Sequence, residues 1–131
     1  MWKYAFNTVQ LPSKIDYDFK VQHSFEKRKA QSSKIRQKYF DIIPIIVEKS
    51  GNKSVQEIQK SKFLADKNMT VDKFLYTIRT QLKINPSEAM FLFINNKVIP
   101  ANSDKLGDVY LQHMDSDGFL YITYTLENVF G

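Results

Sequence analysis

The side chains that could carry out catalysis are few and far apart in this sequence. The chain of 131 residues has no cysteine, and its two histidines, His23 and His113, are separated by most of its length. Without thiols, a cysteine nucleophile, a disulfide framework and thiolate metal sites are excluded. The sequence also has no Gly-x-Ser-x-Gly elbow and no phosphate-binding glycine loop. We therefore expect no enzymatic activity, no catalytic residues and no cofactor.

An acidic segment, residues 115–118 (DSDG), has the composition of a calcium loop but not its spacing. A loop that begins at Asp115 would place Phe119 at its third ligand position and Leu126 where a bidentate glutamate is required. Since neither side chain can bind calcium, we expect no metal site here. A tight turn between a helix and a strand accounts for the aspartates.

The last residue, Gly131, carries the chemical group of greatest interest. A carboxylate on a residue without a Cβ atom is the least hindered acyl group that a protein can present to an enzyme, and the flexible glycine suits a narrow channel. Because the sequence has only 4 glycines, a glycine at the end is uncommon by chance. We hypothesise that Gly131 is a site of covalent conjugation. The alternative is a chain that was simply cut at this point.

Positive charge is concentrated near the N-terminus. Residues 1–40 carry 9 Lys and Arg against 3 Asp and Glu, whereas residues 41–131 carry 10 against 11. This basic stretch could attract nucleic acid, anionic lipid or an acidic peptide, or it could be a solvated helix face. The longest apolar runs, residues 42–47 and 90–94, are far shorter than the ~20 residues that span a bilayer, and no signal-peptide block begins the sequence. We expect a soluble intracellular protein.

A basic helix is predicted to begin at Ser24, which is a capping residue type. Its apolar contacts are expected from Phe25, Ile35 and Tyr39, while Lys and Arg cover the rest of its surface. Upstream of this helix, residues 1–23 form an extension whose structure the hydrophobic pattern does not define.

A β-hairpin is predicted to follow the basic helix. Residues 42–48 are rich in β-branched side chains, and Pro44 indicates an edge or irregular position in that strand. Residues 50–54 have the composition of a turn. Residues 61–65 form a shorter strand that would pair antiparallel with the first.

The clearest helix of the sequence follows the hairpin, with Thr70 as its cap candidate. Its apolar side chains recur at helical spacing, so one stripe must face a sheet. These side chains are Val71, Phe74, Leu75, Ile78 and Leu82. Further along, the pattern predicts a buried strand at residues 90–95 and a tight turn at residues 95–96 that leads into residues 97–99. A short helix at residues 106–110, capped by Asp104, and a closing strand at residues 119–125 follow.

The order of these elements is helix, strand, strand, helix, strand, short helix and strand. A hairpin followed by a long helix across one face and two further strands is the β-grasp arrangement of ubiquitin. We therefore predict an α+β fold with a four-stranded mixed sheet and a central helix, preceded by a helical N-terminal addition. Residues 1–23 would be the extension, and residues 24–131 the ubiquitin-like domain.

Five short segments carry a specific pattern: residues 25–30 (FEKRKA), 43–49 (IPIIVEK), 62–64 (KFL), 117–121 (DGFLY) and 127–131 (ENVFG). In this order, on a β-grasp pattern, they resemble the autophagy ubiquitin-like modifiers, the family of GABARAP and microtubule-associated protein light chain 3. The resemblance runs from about Ser24 to Gly131.

The resemblance implies a non-enzymatic modifier that acts in autophagy and protein transport. Its Gly131 would be activated through thioesters on activating and conjugating enzymes and then joined to the amine of phosphatidylethanolamine. A processing and deconjugating cysteine protease would recognise the preceding aromatic residue, Phe130. The protein would then occur in the cytoplasm and on autophagosomal membranes, with no nucleic acid partner.

The resemblance also implies a groove for adaptor and cargo-receptor peptides of the form aromatic-x-x-aliphatic, bound as an added strand along residues 62–65. Because residues three apart on a strand point to opposite faces, such a ligand needs one pocket on each side of the edge. The aromatic pocket would consist of Ile35, Pro44, Ile46, Lys62, Leu64 and Phe119, and the aliphatic pocket of Phe63, Ala65, Phe74 and Ile78. Acidic residues that flank the ligand would contact Lys60, Lys62 and Arg28.

Three positions depart from the family pattern: Gln31 stands in place of an acidic residue, Asp66 in place of a proline and Gln81 in place of an arginine. We expect a wetter and shallower aliphatic pocket that discriminates less among Leu, Ile and Val. Residues 6–9 (FNTV) fit the aromatic-x-x-aliphatic form themselves and could occupy the groove. The alternative function is a β-grasp domain that is never conjugated and whose basic helix binds tubulin, nucleic acid or anionic membrane.

Overall fold

The computed structural model describes residues 16–50 and 58–128. In these residues the helices are α1 (Asp18–Gln22), α2 (Phe25–Lys38), α3 (Val71–Leu82) and α4 (Leu106–His113). The strands are β1 (Ile42–Lys49), β2 (Lys62–Asp66), β3 (Glu88–Ile94) and β4 (Leu120–Asn128). No helix in this part of the chain is long and apolar enough to cross a bilayer. The motif at residues 6–9, Phe130 and Gly131 lie outside the described residues.

The four strands form one mixed sheet in the order β2-β1-β4-β3. β1 runs parallel to β4 in the centre, and β2 and β3 are antiparallel to their neighbours at the edges. The predicted four-stranded β-grasp fold is therefore confirmed. The predicted hairpin is confirmed with it, although β2 begins and ends one residue later than expected.

Pro44 fits into β1 because of its position in the ladder. It pairs with Leu64 across the hairpin, whereas the pairing with β4 begins only at Ile45. The N–H of Val47 donates to the carbonyl of Ser61 at 2.8 Å, and in an antiparallel ladder the hydrogen-bonded pairs then recur at every second residue. Pro44 and Leu64 are therefore a non-hydrogen-bonded pair, and the missing N–H of the proline removes no ladder bond.

Helix α3 crosses one face of the sheet and covers the main core. The hydroxyl of Thr70 accepts the N–H of Lys73 at 3.2 Å, which confirms the predicted cap. The helix ends at Lys83, which adopts the left-handed conformation with a φ of 54°. The predicted stripe is also confirmed, because four of its members are buried in the core and Leu75 is packed against it; the four are Val71, Phe74, Ile78 and Leu82.

The opposite face of the sheet is covered by α1 and α2. The short helix α1, which the sequence pattern did not define, buries Phe19. Ser24 caps α2 as predicted. The apolar contacts expected of α2 are found only in part, because Ile35 is half-buried but Phe25 and Tyr39 are exposed. The one buried residue of this helix is Ser32. Burial of large apolar side chains is therefore not what attaches α2 to the sheet.

The predicted turns after β3 and before β4 are both confirmed. Asn95 and Asn96 adopt positive φ angles of 53° and 61°, and Val98 then forms an isolated bridge with Ile94 instead of a longer strand. The acidic turn ends at Gly118, whose φ of 89° lies in the region that favours glycine.

The predicted cap of α4 is wrong. Asp104 belongs to the preceding loop, where its carboxylate accepts the N–H of Ala101 at 3.1 Å. The residue at the cap position is Lys105, which makes no side-chain cap hydrogen bond. The backbone at the start of α4 instead donates to carbonyls of the segment that follows β2, so the tertiary contact replaces the local cap.

Candidate functional site

The backbone of β2 is the first component of a candidate site. β2 lies at the edge of the sheet, with β1 on one side and no described strand on the other. Since Phe63 and Ala65 form the hydrogen-bonded pairs with β1, the N–H and C=O groups of Lys62 and Leu64 point away from the sheet. These two residues each offer a donor and an acceptor to an added strand.

The side chains of β2 alternate between the two faces of the sheet. Lys62 lies on the face of α2, where its ammonium donates to the amide oxygen of Gln31 at 2.7 Å. Leu64 has the same parity and is 54% exposed. Phe63 lies on the opposite face, where its ring packs edge to face against Phe74 of α3 at 5.6 Å. A strand added to β2 would therefore have accessible side chains of the protein on both of its faces.

The residues expected in the aromatic pocket lie at different depths. Ile46 and Phe119 are fully buried and belong to one cluster of mostly aromatic residues on the face of α1 and α2. Such residues can form the floor of a pocket but not its contact surface. The remaining members are Pro44, which is buried, Ile35 and Lys62, which are half-buried, and Leu64, which is exposed.

Phe19 of α1, which sequence reasoning missed, covers this floor. Its ring lies 5.1 Å from that of Phe119, edge to face, and 6.5 Å from that of Tyr121. The ammonium of Lys62 lies 5.9 Å from the centre of the Phe19 ring. The signal in the sequence was the pair Tyr17 and Phe19, which are both buried in this cluster. The pair is too short to form a recognisable periodic pattern.

Polar contacts hold α1 over this cluster. The carboxylate of Glu48, on β1, accepts the N–H of Asp18 at 2.8 Å and of Phe19 at 2.9 Å, so a negative charge meets the free N–H groups at the helix start. Further along, the ammonium of Lys20 lies 2.6 Å from the carboxylate of Asp115. Partial burial by itself would raise the pKa of Asp115. The hydrogen bond from Lys20 outweighs burial and holds the pKa of Asp115 below its ordinary value.

Helix α2 is attached to the sheet through Asp117, which is fully buried. Its carboxylate accepts hydrogen bonds from Arg28 at 2.7 Å and from the hydroxyl of Tyr121 at 2.5 Å. Its backbone carbonyl accepts the hydroxyl of Ser32 at 2.5 Å. Burial, and then the hydrogen bond to Asp117, raise the pKa of Tyr121 above its ordinary value.

The same ion pair changes the role expected of Arg28. The family resemblance implied that Arg28 would contact acidic residues of a ligand. Its side chain is only 11% exposed, however, and forms an ion pair with Asp117. Lys60 is exposed, and Lys62 is bonded to a neutral amide rather than to a carboxylate. Within the described residues, Lys60 and Lys62 therefore remain available beside β2 to an acidic ligand.

The residues expected in the aliphatic pocket form a shallow surface. Ala65, Phe74 and Ile78 are buried in the main core, and Phe63 is the half-buried member that lies over Phe74. Ligand contact on this face therefore falls mainly on Phe63. Asp66, which follows on β2, is exposed and adds a polar group at the end of the strand.

The acidic turn and His23, which could also have suggested chemistry, are engaged in internal contacts. In the acidic turn, the N–H of Phe119 donates to the carboxylate of Asp117, and the N–H of Asp117 donates to that of Asp115. The ring of His23 packs against that of Phe19 at 4.8 Å. In the part of the chain that the structure describes, no three His, Asp or Glu side chains come together as a metal site.

Comparison with known proteins identifies relatives over most of the chain. The family described as "Autophagy protein Atg8 ubiquitin like" matches residues 27–131. The Autophagy-related protein 8 of Mycosarcoma maydis is 46% identical over 113 residues, which cover 86% of this chain and 95% of that protein. The Autophagy-related protein 8 of Coccidioides immitis is 46% identical over 113 residues and is covered to 96%.

Solved structures are similar to the fold described above. The crystal structure of Trypanosoma brucei ATG8 has a TM-score of 0.81 at 34% identity and covers 88% of this chain and 99% of its own. Plasmodium falciparum Atg8, solved in complex with a Plasmodium falciparum Atg3 peptide, has a TM-score of 0.75 at 30% identity and covers 82% of this chain and 94% of its own. The relatives are thus matched over nearly their whole length.

Proposed function

The chain belongs to the Atg8 family of ubiquitin-like autophagy proteins, and from this membership we propose that it is a lipid-conjugated modifier that recruits peptides to autophagosomal membranes. In this proposal Gly131 is joined to phosphatidylethanolamine, and β2 binds adaptors and cargo receptors as an added strand. The observation that carries the proposal is the open edge of β2, whose side chains divide between two faces of the sheet.

The conjugation step needs no catalytic residue on this chain. The amine of phosphatidylethanolamine attacks the thioester carbonyl that joins Gly131 to a cysteine of a conjugating enzyme. An amide bond forms, the carbon–sulfur bond breaks and the thiol leaves. The absence of a Cβ atom on Gly131 leaves this carbonyl open to attack. The Atg3 peptide bound to the Plasmodium falciparum relative supports a partner in the conjugation pathway. Phe130 would be the residue that the deconjugating cysteine protease recognises.

Peptide recognition would begin with the backbone of β2. The outward N–H and C=O groups of Lys62 and Leu64 hydrogen-bond the ligand strand. The aromatic side chain of the ligand lies against Leu64 and against Phe19, which covers the floor that contains Phe119. The aliphatic side chain three residues later lies against Phe63. Acidic residues before the aromatic one meet Lys60 and Lys62, which accelerates association more than it tightens binding.

Substitution of Leu64 tests this groove. A Leu64→Asp chain should bind a synthetic acidic aromatic-x-x-Leu peptide at least about tenfold more weakly than the wild type, because it removes an apolar contact and repels the acidic flank. Val98→Asp changes an exposed apolar residue away from β2 and is the matched control. Equal affinities of the two variants in titration calorimetry would mean that the β2 edge is not the peptide site.

The shallow aliphatic surface should discriminate weakly among aliphatic side chains. We expect similar affinities for peptides that differ only in Leu, Ile or Val at the aliphatic position, because Phe63 is the main accessible contact on that face. Titration calorimetry on the three peptides measures this ranking. A strong preference for one of them would contradict the expectation.

Conjugation itself is tested with activating and conjugating enzymes and liposomes that contain phosphatidylethanolamine. Intact-mass measurement should show an adduct of one lipid per chain. A chain that lacks Gly131 should show no adduct but should bind the peptide normally, which separates loss of conjugation from loss of folding. An adduct on the shortened chain would refute Gly131 as the site.

A second candidate function rests on the exposed lysines of α2. Lys27, Lys29, Lys34 and Lys38 are exposed and make no ion pair within the described residues. They could bind tubulin, nucleic acid or anionic membrane without conjugation. Such binding should weaken steeply as salt is raised, whereas binding in the apolar groove should persist. A salt titration of each interaction distinguishes the two.

A further inference from the structure

A second cleft lies at the end of β2, beyond the strand that forms the groove. Its volume is about 380 Å³, and its walls come from the end of α2, the loop before β1, the segment after β2 and the start of α4. We call it the Phe40 cleft; the lining residues used below are Arg36, Phe40, Lys67, Lys105, Tyr110 and Leu111.

Two large apolar side chains are exposed at this cleft. Phe40 and Leu111 are each 73% exposed, more than Leu64 in the groove. They come from separate elements, the loop after α2 and helix α4, and both line the cleft. Isolated exposed apolar residues are common on protein surfaces, but two that line one concavity are typical of a binding site.

The charge of the Phe40 cleft is mainly positive. The guanidinium of Arg36 donates to the carbonyls of Phe40 at 2.9 Å and Ile42 at 2.8 Å and stacks 5.1 Å from the ring centre of Tyr110. It is therefore held in place by neutral groups. Within the described residues, neither Arg36 nor Lys105 has a carboxylate partner.

A third cation at the cleft is partly neutralised. The ammonium of Lys67 lies 3.0 Å from the carboxylate of Asp41 and 5.2 Å from the ring centre of Phe40. Asp108 is the one acidic residue in the lining of the cleft. Three cations against the carboxylates of Asp41 and Asp108 leave the cleft with a net positive charge, and Arg36 and Lys105 form no ion pair within the described residues.

The walls of the cleft are held in position by backbone contacts. The N–H of Gly107 donates to the carbonyl of Lys67 at 2.8 Å, and the N–H of Leu106 donates to that of Met69 at 2.9 Å. A Cβ atom on residue 107 would lie 2.9 Å from the Cβ of Lys67, so only glycine allows this close approach. The cleft is therefore formed before any ligand arrives, which lowers the entropy cost of binding.

From these observations we propose that the Phe40 cleft binds an acidic peptide segment that inserts one bulky apolar side chain between Phe40 and Leu111. Acidic residues of the segment meet Arg36 and Lys105. A concave site suits an inserted side chain better than it suits a flat membrane surface. A second copy of this chain fits poorly because the net charge of each copy is +5. This site and its ligand do not depend on the function of the β2 groove.

The test uses the full chain with Leu64→Asp, which disables the β2 groove, as bait for a phage-displayed library of short random peptides. We expect enrichment of peptides in which one Phe, Leu or Trp is flanked by Asp or Glu. A representative synthetic peptide is then titrated into the chain with its natural Leu64. Phe40→Ser and Lys105→Glu should each weaken its binding by about tenfold.

Matched controls distinguish the cleft from general surface effects. Tyr76→Ser removes a side chain that is 70% exposed on α3, and Lys97→Glu reverses an exposed charge in a turn. Both should change affinity by less than about twofold. Because Phe40 and Lys105 are exposed, their variants should fold normally, which circular dichroism checks.

Several results would overturn the proposal. One is a selection that does not enrich peptides with acidic residues beside a bulky apolar residue. Another is peptide binding whose affinity is unchanged by Phe40→Ser. Self-association in sedimentation experiments that Phe40→Ser abolishes would assign the cleft to a second copy of the chain. Binding to phosphatidylserine vesicles that depends on Phe40, in the absence of peptide binding, would assign it to a membrane surface.

Discussion

On one face of the sheet, α3 buries four apolar side chains in the main core, whereas on the other face α2 buries only a serine. The face of α3 is stabilised by removal of apolar surface from water, which needs no particular partner. The face of α1 and α2 combines a small cluster, to which Phe19 and Phe119 belong, with a set of polar contacts centred on Asp117.

The difference indicates how each face should respond to change. An apolar core loses stability in proportion to the volume removed, and the whole domain unfolds as a unit. A helix held by a few buried polar contacts should instead detach locally when one of them is removed, while the rest of the fold persists. The proposed peptide groove lies at the edge that both faces share.

The largest effect is expected from the core of α3. Phe74→Ala should lower the free energy of unfolding by about 3 to 5 kcal/mol, because it leaves a cavity in the main core. Tyr76→Ala on the exposed side of the same helix should cost less than about 0.5 kcal/mol. Urea denaturation measures both. Similar losses for the two variants would show that α3 is not held by its buried stripe.

The next effect is expected on the polar face. Asp117→Asn should cost about 2 to 3 kcal/mol, because the guanidinium of Arg28 and the hydroxyl of Tyr121 lose a charged hydrogen-bond acceptor. Hydrogen exchange should accelerate mainly in α2. Asp108→Asn, an exposed position, is the control. If amides of α3 lose protection before those of α2, α2 does not detach locally.

A smaller effect tests the packing of α2 on the acidic turn. Gly118→Ala should cost about 2 kcal/mol, because the φ of 89° disfavours a side chain and the new Cβ atom would overlap the hydroxyl of Ser32. Adding Ser32→Ala should recover part of this loss. Thermal unfolding of the single and double variants measures the coupling. Strictly additive losses would exclude the overlap as their cause.

The smallest effect is a pH dependence of α1. The pKa of Asp115 is lowered in the folded protein, so its ion pair with Lys20 stabilises the fold above the unfolded pKa and is lost as pH falls through the folded value. Amide signals of α1 should therefore shift below about pH 4. Lys20→Gln should remove this contribution. An unchanged titration in that variant would mean that another group is responsible.

The candidate site was predictable in some parts and not in others. The alternation of Leu64 with Phe63 and Ala65 follows from the period of a strand, so the split between two faces could be predicted. How deeply each pocket residue is buried could not be predicted, because Phe119 is covered by Phe19. Phe19 comes from a segment without a clear hydrophobic pattern. The ion pair of Arg28 with Asp117 could not be predicted either, because the two residues are 89 positions apart in the sequence.

The sequence by itself determined the elements with local signals: the capped and striped helix α3, the hairpin and the turn at Gly118. These depend on residues within a few positions of one another. Tertiary structure alone decided how α1 and α2 are attached and where the Phe40 cleft forms. The contacts of Lys20 with Asp115, and of Arg28 and Ser32 with Asp117, join residues 85 to 95 positions apart. A polar side chain has no periodic pattern from which such a distant partner could be predicted.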